Sequence, residues 1–380
     1  MPLPCSPPDV ASDHDSEEPA HLYRREKGYL AQGKTSTPER MIRSSFFASR
    51  PPLSALFTAA LLLVTACAQD GTTSASSSGD GGGASGTATG SGGGGGSGGS
   101  LPAPMPLSIL NWNTHNFFDT KKNSPDSSET ILSLANYTGK RQAIGAALKD
   151  LNADIVVLAE VENKALLDDL NTTELGGAYL QTILFEGNDL RGIDVGMLTK
   201  LAPDSVVSHK DDVFVKAGTN GPQYHYSRDC LEVHFTFNQR KIIVLGVHFK
   251  AKATPDDPDK RLAEGQHTRK LADDLQAKEP GAGIVILGDF NDTPGSEPYA
   301  AVLGAAPNLF VDSADSAPEL QRYSYDYMGK LELIDHQMAN PRLAALLDPA
   351  QVLLVHGKGI DDGSKFASDH APIKATYLVQ

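Results

Sequence analysis

Apolar positions along this chain fall into two rhythms, and the two alternate. Continuous runs of β-branched and aliphatic residues, bounded by polar turns, read as strands buried on both faces. Such runs lie at 155–160, 242–248 and from Ile284 to Gly288, and further strands are read over 107–113, 193–199, 231–237, 332–338 and 374–378. Between them, residues 140–151 place Ile144, Ala147, Leu148 and Leu151 on one face and read as a helix. Residues 164–170 read as a shorter helix and 260–278 as a long amphipathic one. Asn238-Gln239-Arg240-Lys241 reads as the loop of a hairpin between two of the strands. Strands, helices and a hairpin in this order predict an α/β fold: a mixed sheet or a two-sheet sandwich flanked by helices, and not a pure Rossmann arrangement.

Before residue 107 neither rhythm holds. Residues 1–40 are polar and charged and read either as disordered or as lying upstream of the true start, for which Met41 is the better choice. Arg43 and Arg50 precede an apolar core over 53–64, the layout of a secretory signal. Val64-Thr65-Ala66-Cys67 closes it and resembles the lipobox of bacterial lipoproteins, which implies lipidation at Cys67. The alternatives are an ordinary signal cut after Ala66 and a single membrane anchor. Residues 68–106 are a Gly/Ser-rich linker that stiffens at its proline-rich end, with a reach of about 30 Å for roughly thirty flexible residues. Residues 107–380 then read as one domain. The expected location is outside the cytoplasm, lipid-anchored to a bacterial membrane or secreted.

Charge and cysteine usage narrow the picture. The net charge of −14 argues against a broad basic nucleic-acid surface, though not against an enzyme that grips a few phosphates through a metal ion. Cys5, Cys67 and Cys230 have neither zinc-site nor disulfide spacing.

The chemistry lies where the strands end. Asn113, Glu160 and His248 close three of the apolar runs, Asp289 and Asn291 follow a fourth, and Asp335 and Asp369-His370 lie beside two more. Any one of these is explained as a turn, a helix-start acid or a core histidine. Six such endings together describe the rim of an active site. A hard cation such as Mg²⁺ needs only one or two carboxylates, and Glu160 and Asp369 suffice. Histidine suits acid–base work near neutrality, with a carboxylate to fix its tautomer.

Trp112-Asn113, Leu158-Ala159-Glu160-Val161-Glu162-Asn163, Val247-His248, Gly288-Asp289-Phe290-Asn291, Ile334-Asp335-His336 and Ser368-Asp369-His370 stand in an order that resembles the endonuclease/exonuclease/phosphatase superfamily. The resemblance implies a four-layered α/β sandwich with two mixed β-sheets flanked by helices. It implies that Glu160 binds a divalent metal, Mg²⁺ with Mn²⁺ or Ca²⁺ as alternatives, with Asp369 and Asn113 beside it. Asp289 and Asn291 would orient or deprotonate the attacking water. His370, held by Asp335, would act as base or phosphate ligand, and His248 would contact the phosphate or protonate the leaving group. Asp194 is the positional choice for orienting His248. A finer resemblance, to secreted bacterial nucleases, makes Arg191, Arg228, Lys250 and Lys252 phosphate contacts, against the alternative of plain surface charge. No exposed apolar hairpin of the kind membrane-acting sphingomyelinases use is evident in the sequence.

The first expectation is therefore a metal-dependent phosphodiesterase, a nuclease acting on DNA or RNA by in-line attack of water, with a membrane contact through its lipid and no protein partner inferred. The alternatives are a phosphomonoesterase or a lipid or inositol phosphodiesterase on the same scaffold, and an inactive surface-binding module.

Overall fold

The computed structural model describes residues 102–253, 255–366 and 368–380. The signal segment, the Cys67 lipidation site and all but the end of the linker lie outside the described residues. No helix among the described residues is long and apolar enough to cross a membrane.

Among the described residues there are fourteen strands: β1 Met105–Phe117, β2 Ile155–Val161, β3 Gln181–Leu184, β4 Asp194–Thr199, β5 Ser205–Ser208, β6 Cys230–Phe237 and β7 Arg240–His248. Then come β8 Gly283–Asp289, β9 Val311–Asp312, β10 Tyr325–Tyr327, β11 Lys330–Glu332, β12 Asp335–Ala339, β13 Leu353–Leu354 and β14 Ile373–Val379. The helices are α1 Leu134–Leu151, α2 Lys164–Asp169, α3 Pro258–Lys278, α4 Glu297–Leu303 and α5 Pro341–Ala344. One six-stranded sheet runs β13-β14-β1-β2-β4-β3 and the other β5-β6-β7-β8-β12-β9. β1 is parallel to β2 and β7 to β8, and the other neighbours are antiparallel.

The alternation along each strand builds the layers. Ile109, Val157 and Val195 of the first sheet pack against Val233, Val244, Val285 and Leu287 of the second, forming the central core. The opposite face of the first sheet, including Leu110, Val156 and Leu158, is covered by Ile144 and Leu148 of α1 and Leu166 and Leu167 of α2. Ile243, Leu245, Ile284 and Ile286 face Ala263 and Ala272 of α3 and Tyr299 and Val302 of α4. This is the four-layered α/β sandwich, and burial on both faces is why the strands read as unbroken apolar runs.

The departures from expectation are local. α1 starts at Leu134, where Ser133 accepts from the Asn136 N–H as N-cap, ahead of the apolar stripe. The β6–β7 hairpin turns on Asn238 and Gln239 alone, both at positive φ, so Arg240 and Lys241 belong to β7. The strand expected over 332–338 is two: Glu332 ends β11, and β12 begins at Asp335. β10 and β11 form an exposed hairpin, with Tyr327 56%, Met328 91% and Leu331 53% accessible. The expectation that no exposed apolar hairpin exists is thereby corrected; alternation with Asp326, Lys330 and Glu332 hid it.

Candidate active site

Strand order brings the polar endings to one edge of the sandwich. In the parallel pair β7/β8, His248 is in register with Asp289. β12 runs antiparallel to β8, so its first residue, Asp335, sits opposite Asp289. A carboxylate at a strand start and one at a strand end thus become neighbours. In the other sheet, β1 and β2 deliver Asn113 and Glu160 in parallel. Both strands are irregular there. β1 shifts register between Asn113 and Phe117, where His115 and Asn116 adopt positive φ, and β2 shifts at Glu160, φ 62°. Such bulges re-aim a side chain that a regular pleat would point elsewhere.

Asn113 joins the two sheets. Its amide donates to Asp289 Oδ2 at 2.9 Å and to Glu160 Oε1 at 3.2 Å, while its own oxygen accepts the His115 N–H at 2.9 Å. That last bond fixes the amide with nitrogen towards the carboxylates. Asn113 is therefore a donor that orients Glu160, and the expectation that places it beside the metal puts its oxygen, which keeps one free lone pair, within the same group of side chains. Glu160 Oε2 accepts the Asn116 N–H at 2.8 Å, and Asp289 Oδ1 accepts the Asn291 N–H at 2.7 Å. Asn291, φ 53°, spends its side-chain amide on the Phe249 carbonyl at 3.1 Å.

His370 is buried as well. Its Nδ1 is 2.7 Å from Asp335 Oδ2, and Tyr325 packs on its ring at 4.8 Å between centroids. Its carbonyl accepts from Trp112 Nε1 at 2.8 Å, and Ser368 Oγ donates to the Asn113 carbonyl at 2.6 Å, locking the last loop onto β1. His248 Nε2 stands 3.4 Å from Asp289 Oδ2, and its Nδ1 is buried without a hydrogen-bond partner. Asp369 takes His115 Nδ1 at 2.9 Å.

The electrostatics follow from burial and neighbours. Burial, then the Asp335 charge, pushes the Asp289 carboxyl up towards neutrality, with His370 and the Asn113 amide opposing. Burial alone would lower the His370 imidazole, but Asp335 with Asp289 and Asp369 outweighs it, so this ring is held as a cation. Burial, with Arg228, His370 and Arg191 adding positive charge, drives His248 the other way and keeps it neutral.

Several expected contacts fall elsewhere. Asp194 accepts the Gly187 N–H at 2.7 Å and neither ion-pairs nor hydrogen-bonds with His248; its second oxygen is buried and unpartnered. The role expected of it towards His248 is not made by direct contact, because the loop before β4 claims the carboxylate. Arg191 forks onto Asp189, Nε–Oδ1 2.9 Å and Nη2–Oδ2 2.6 Å. Arg228 is buried, 3.2 Å from the same carboxylate and donating to the Phe249 carbonyl at 3.0 Å. Lys250 caps the carbonyls of Ala251 and Pro255, and Lys252 pairs with Asp292 at 2.9 Å. Arg191 and Lys250 are thus tied to their own loops, and Arg228 and Lys252 to carboxylates of other loops; the two arginines still act on His248 through their field.

Two groups escaped the sequence reading. His115 braces Asp369, although it stands in the Asn-Thr-His-Asn run after β1. Lys140 of α1 is buried, 6% accessible, and burial lowers its ammonium to about 8 against the pull of Asp369 and Glu160. Its place at the head of the apolar stripe made it look like a solvated helix lysine.

Asp289, Asp335 and His370 offer three ligand atoms within 4.8 Å of one another, among the described residues. His370 Nδ1 is already engaged by Asp335, and all three are buried, which suits a hydrogen-bonded triad better than a cation that keeps waters. Glu160 and Asp369, half-buried and offering hard oxygens at the rim, fit a divalent ion.

A two-sheet sandwich carrying carboxylates, carboxamide and imidazole at one edge defines a class: hydrolases of phosphoester bonds. Residues 108–339 match the family described as Endonuclease/Exonuclease/phosphatase family, more than half of the chain, and the chain belongs to it. Enzymes of this family hydrolyse phosphodiester bonds with divalent metal ions. No curated protein sequence matches. Among solved structures, the human Nocturnin catalytic domain with bound sulfate anion is similar at 13% identity, over 72% of this chain and 94% of that one, TM-score 0.50. TDP2 of D. rerio complexed with single strand DNA product is 19% identical over 72% and 98%, TM-score 0.48. An Endonuclease/exonuclease/phosphatase family protein from Bacteroides thetaiotaomicron is 14% identical over 73% and 99%, TM-score 0.47. At 13% identity the likeness to Nocturnin speaks to the fold alone.

Proposed function

We propose that this protein is a divalent-metal-dependent nuclease, cleaving phosphodiester bonds of nucleic acid by in-line attack of water. The observation that carries the reading is the continuous chain of contacts from Glu160 through Asn113 to Asp289, with the His370–Asp335 pair against it. Glu160 and Asp369 hold the metal, which when bound, Mg²⁺ in the first instance, withdraws charge from the phosphoryl oxygens. Asp289, raised by burial and by Asp335, accepts the proton of the attacking water, and the Asn291 N–H fixes its other oxygen. His370, kept cationic by Asp335, faces a non-bridging oxygen as a fixed positive charge. Neutral His248, its Nε2 3.4 Å from the same Asp289 carboxylate, supplies a hydrogen-bond donor to the reacting phosphate. Arg191 and Arg228 strengthen the local positive field in an otherwise acidic chain, which suits an anionic polymer.

The same reading carries the enzyme out of the cytoplasm, anchored by a lipid on Cys67 and displayed on the Gly/Ser-rich linker. Mass spectrometry of the mature N-terminus tests that part. For the activity, purified protein with Mg²⁺ is assayed on plasmid DNA, RNA, sphingomyelin and inositol phosphates. Cleavage of nucleic acid that disappears in Asp289→Asn and His370→Ala supports the reading. Turnover confined to the lipid or the inositol phosphates replaces the substrate, and wild-type turnover by either variant removes the site.

A further inference from the structure

Beside the rim on the Glu160 side lies a cavity of about 280 Å³ between α1 and the loop before Ser368. His115, Asn116, Asn136, Lys140, Ser364 and Lys365 are among the residues that line it. Its charge is out of keeping with the chain: two lysines and no carboxylate face it, in a protein with 47 acidic and 33 basic residues. It shares a wall with the reaction centre. His115, which lines it, holds Asp369 at 2.9 Å, and Asn116, the next lining residue, gives its N–H to Glu160 at 2.8 Å.

Both lysines are positioned by packing. Lys140 lies buried on α1 in the field of Asp369 and Glu160. Lys365 is carried by a loop that Phe366 anchors: its ring atoms lie 2.6 Å from where a side chain on Gly139 would begin, so only glycine at that helix position admits the ring. The Lys365 ammonium sits 5.4 Å over that same ring. The loop is thus seated on α1 one residue from Lys140, and Lys365 is among the residues that line the cavity. Amide and hydroxyl groups of Asn136 and Ser364 complete a lining of donors, the set that recognises phosphate oxygens. The volume falls just under the usual range for small-molecule pockets of about 300–1,000 Å³, room for a phosphate with its sugar.

We propose that this cavity is a second phosphate subsite, which takes the phosphate next to the scissile one and so favours substrates bearing a phosphate beyond the bond that is cut. The inference rests on the phosphodiesterase reading above and narrows its substrate. The test compares a dinucleotide with one internal phosphodiester and no other phosphate against the same dinucleotide phosphorylated at its 5′ or its 3′ end. Wild type should show kcat/KM higher for one phosphorylated form by about tenfold, the factor one charge-assisted contact supplies. That ratio should fall towards unity in Lys365→Ala, and below unity in Lys365→Glu, where the exposed site tolerates the change without a folding penalty. Gly139→Val, which unseats Phe366, should lower the same ratio with both lysines intact. Wild-type cleavage of all three substrates at equal kcat/KM, or a ratio untouched by the Lys365 variants, overturns the subsite and leaves the phosphodiesterase reading standing. Cleavage of none of them, nor of longer DNA or RNA, removes that reading and the subsite with it.

Discussion

Replacing Gly288 by alanine should damage stability and activity together, and the size of the effect can be worked from the backbone. Gly288 has φ 135°, and a Cβ there would stand 1.9 Å from the Val247 carbonyl oxygen of the paired strand β7. Ordinary contact begins near 3.4 Å, so the strands would have to part by about 1.5 Å at this rung. That is more than a ladder hydrogen bond tolerates. The Phe249 N–H to Asp289 carbonyl bond, 2.9 Å, is the next to go. Backbone strain of about 1–3 kcal/mol and one or two buried hydrogen bonds at about 1 kcal/mol each give a loss near 4 kcal/mol. For a domain of this size that is a fall in Tm of about 8–16 °C. Because the parted rung carries His248 and Asp289, hydrolysis should fall at least tenfold even at temperatures where the variant is folded. Calorimetry and a steady-state assay on plasmid DNA read the two effects. A variant melting within about 2 °C of wild type would falsify the strand-contact reasoning.

Asp335→Asn removes the partner that keeps His370 cationic and should cost about 10²–10⁴ in kcat, measured on the same substrate under saturating Mg²⁺. Chelation with EDTA should abolish turnover, and Glu160→Gln should raise the Mg²⁺ concentration needed for half-maximal rate; an unchanged metal titration would move the ion elsewhere. Away from the site, burial would raise Glu232, yet bonds from His209 and His234 overcome it and bring it down to about 2, while His209 is raised above 6.5 by Glu232 and Asp212 against its burial. A depressed carboxylate stabilises above its unfolded value of 4.5 and loses that as pH falls; a raised histidine stabilises below 6.5 and loses that as pH rises through its folded value. Glu232→Gln should therefore cost most between pH 4.5 and 6.5, about 3 kcal/mol by denaturant titration, with the gap narrowing on either side.

Most of the strands that could be read from the sequence are buried on both faces, as unbroken runs such as 242–248 and 284–287 announce. The edge strands β3, β5, β9 and β13 could not, since two to four residues with half their side chains in water carry no period. At the site, Asn113, Glu160, His248, Asp289, Asp335 and His370 were legible because each closes or opens an apolar run. What pattern could not supply was aim. Nothing in Ala159-Glu160-Val161 announces a positive φ, and nothing in Arg191 or Lys250 says whether its charge meets a ligand or its own loop. Lys140 was hidden for the opposite reason: a lysine heading an amphipathic stripe is ordinarily solvated, and this one is buried.

The docking of the segment around His370 onto β1 has an optical consequence. Trp112 is the single tryptophan of the chain, and its indole N–H is held by a carbonyl 258 residues further on. Intrinsic fluorescence excited at the indole band therefore reports on a ring that α1 covers and that one further event holds, the docking of the final loop onto β1. It happens to be the event that delivers Asp369 and His370. Emission that shifts to the blue during refolding would time the birth of a working site, without any label.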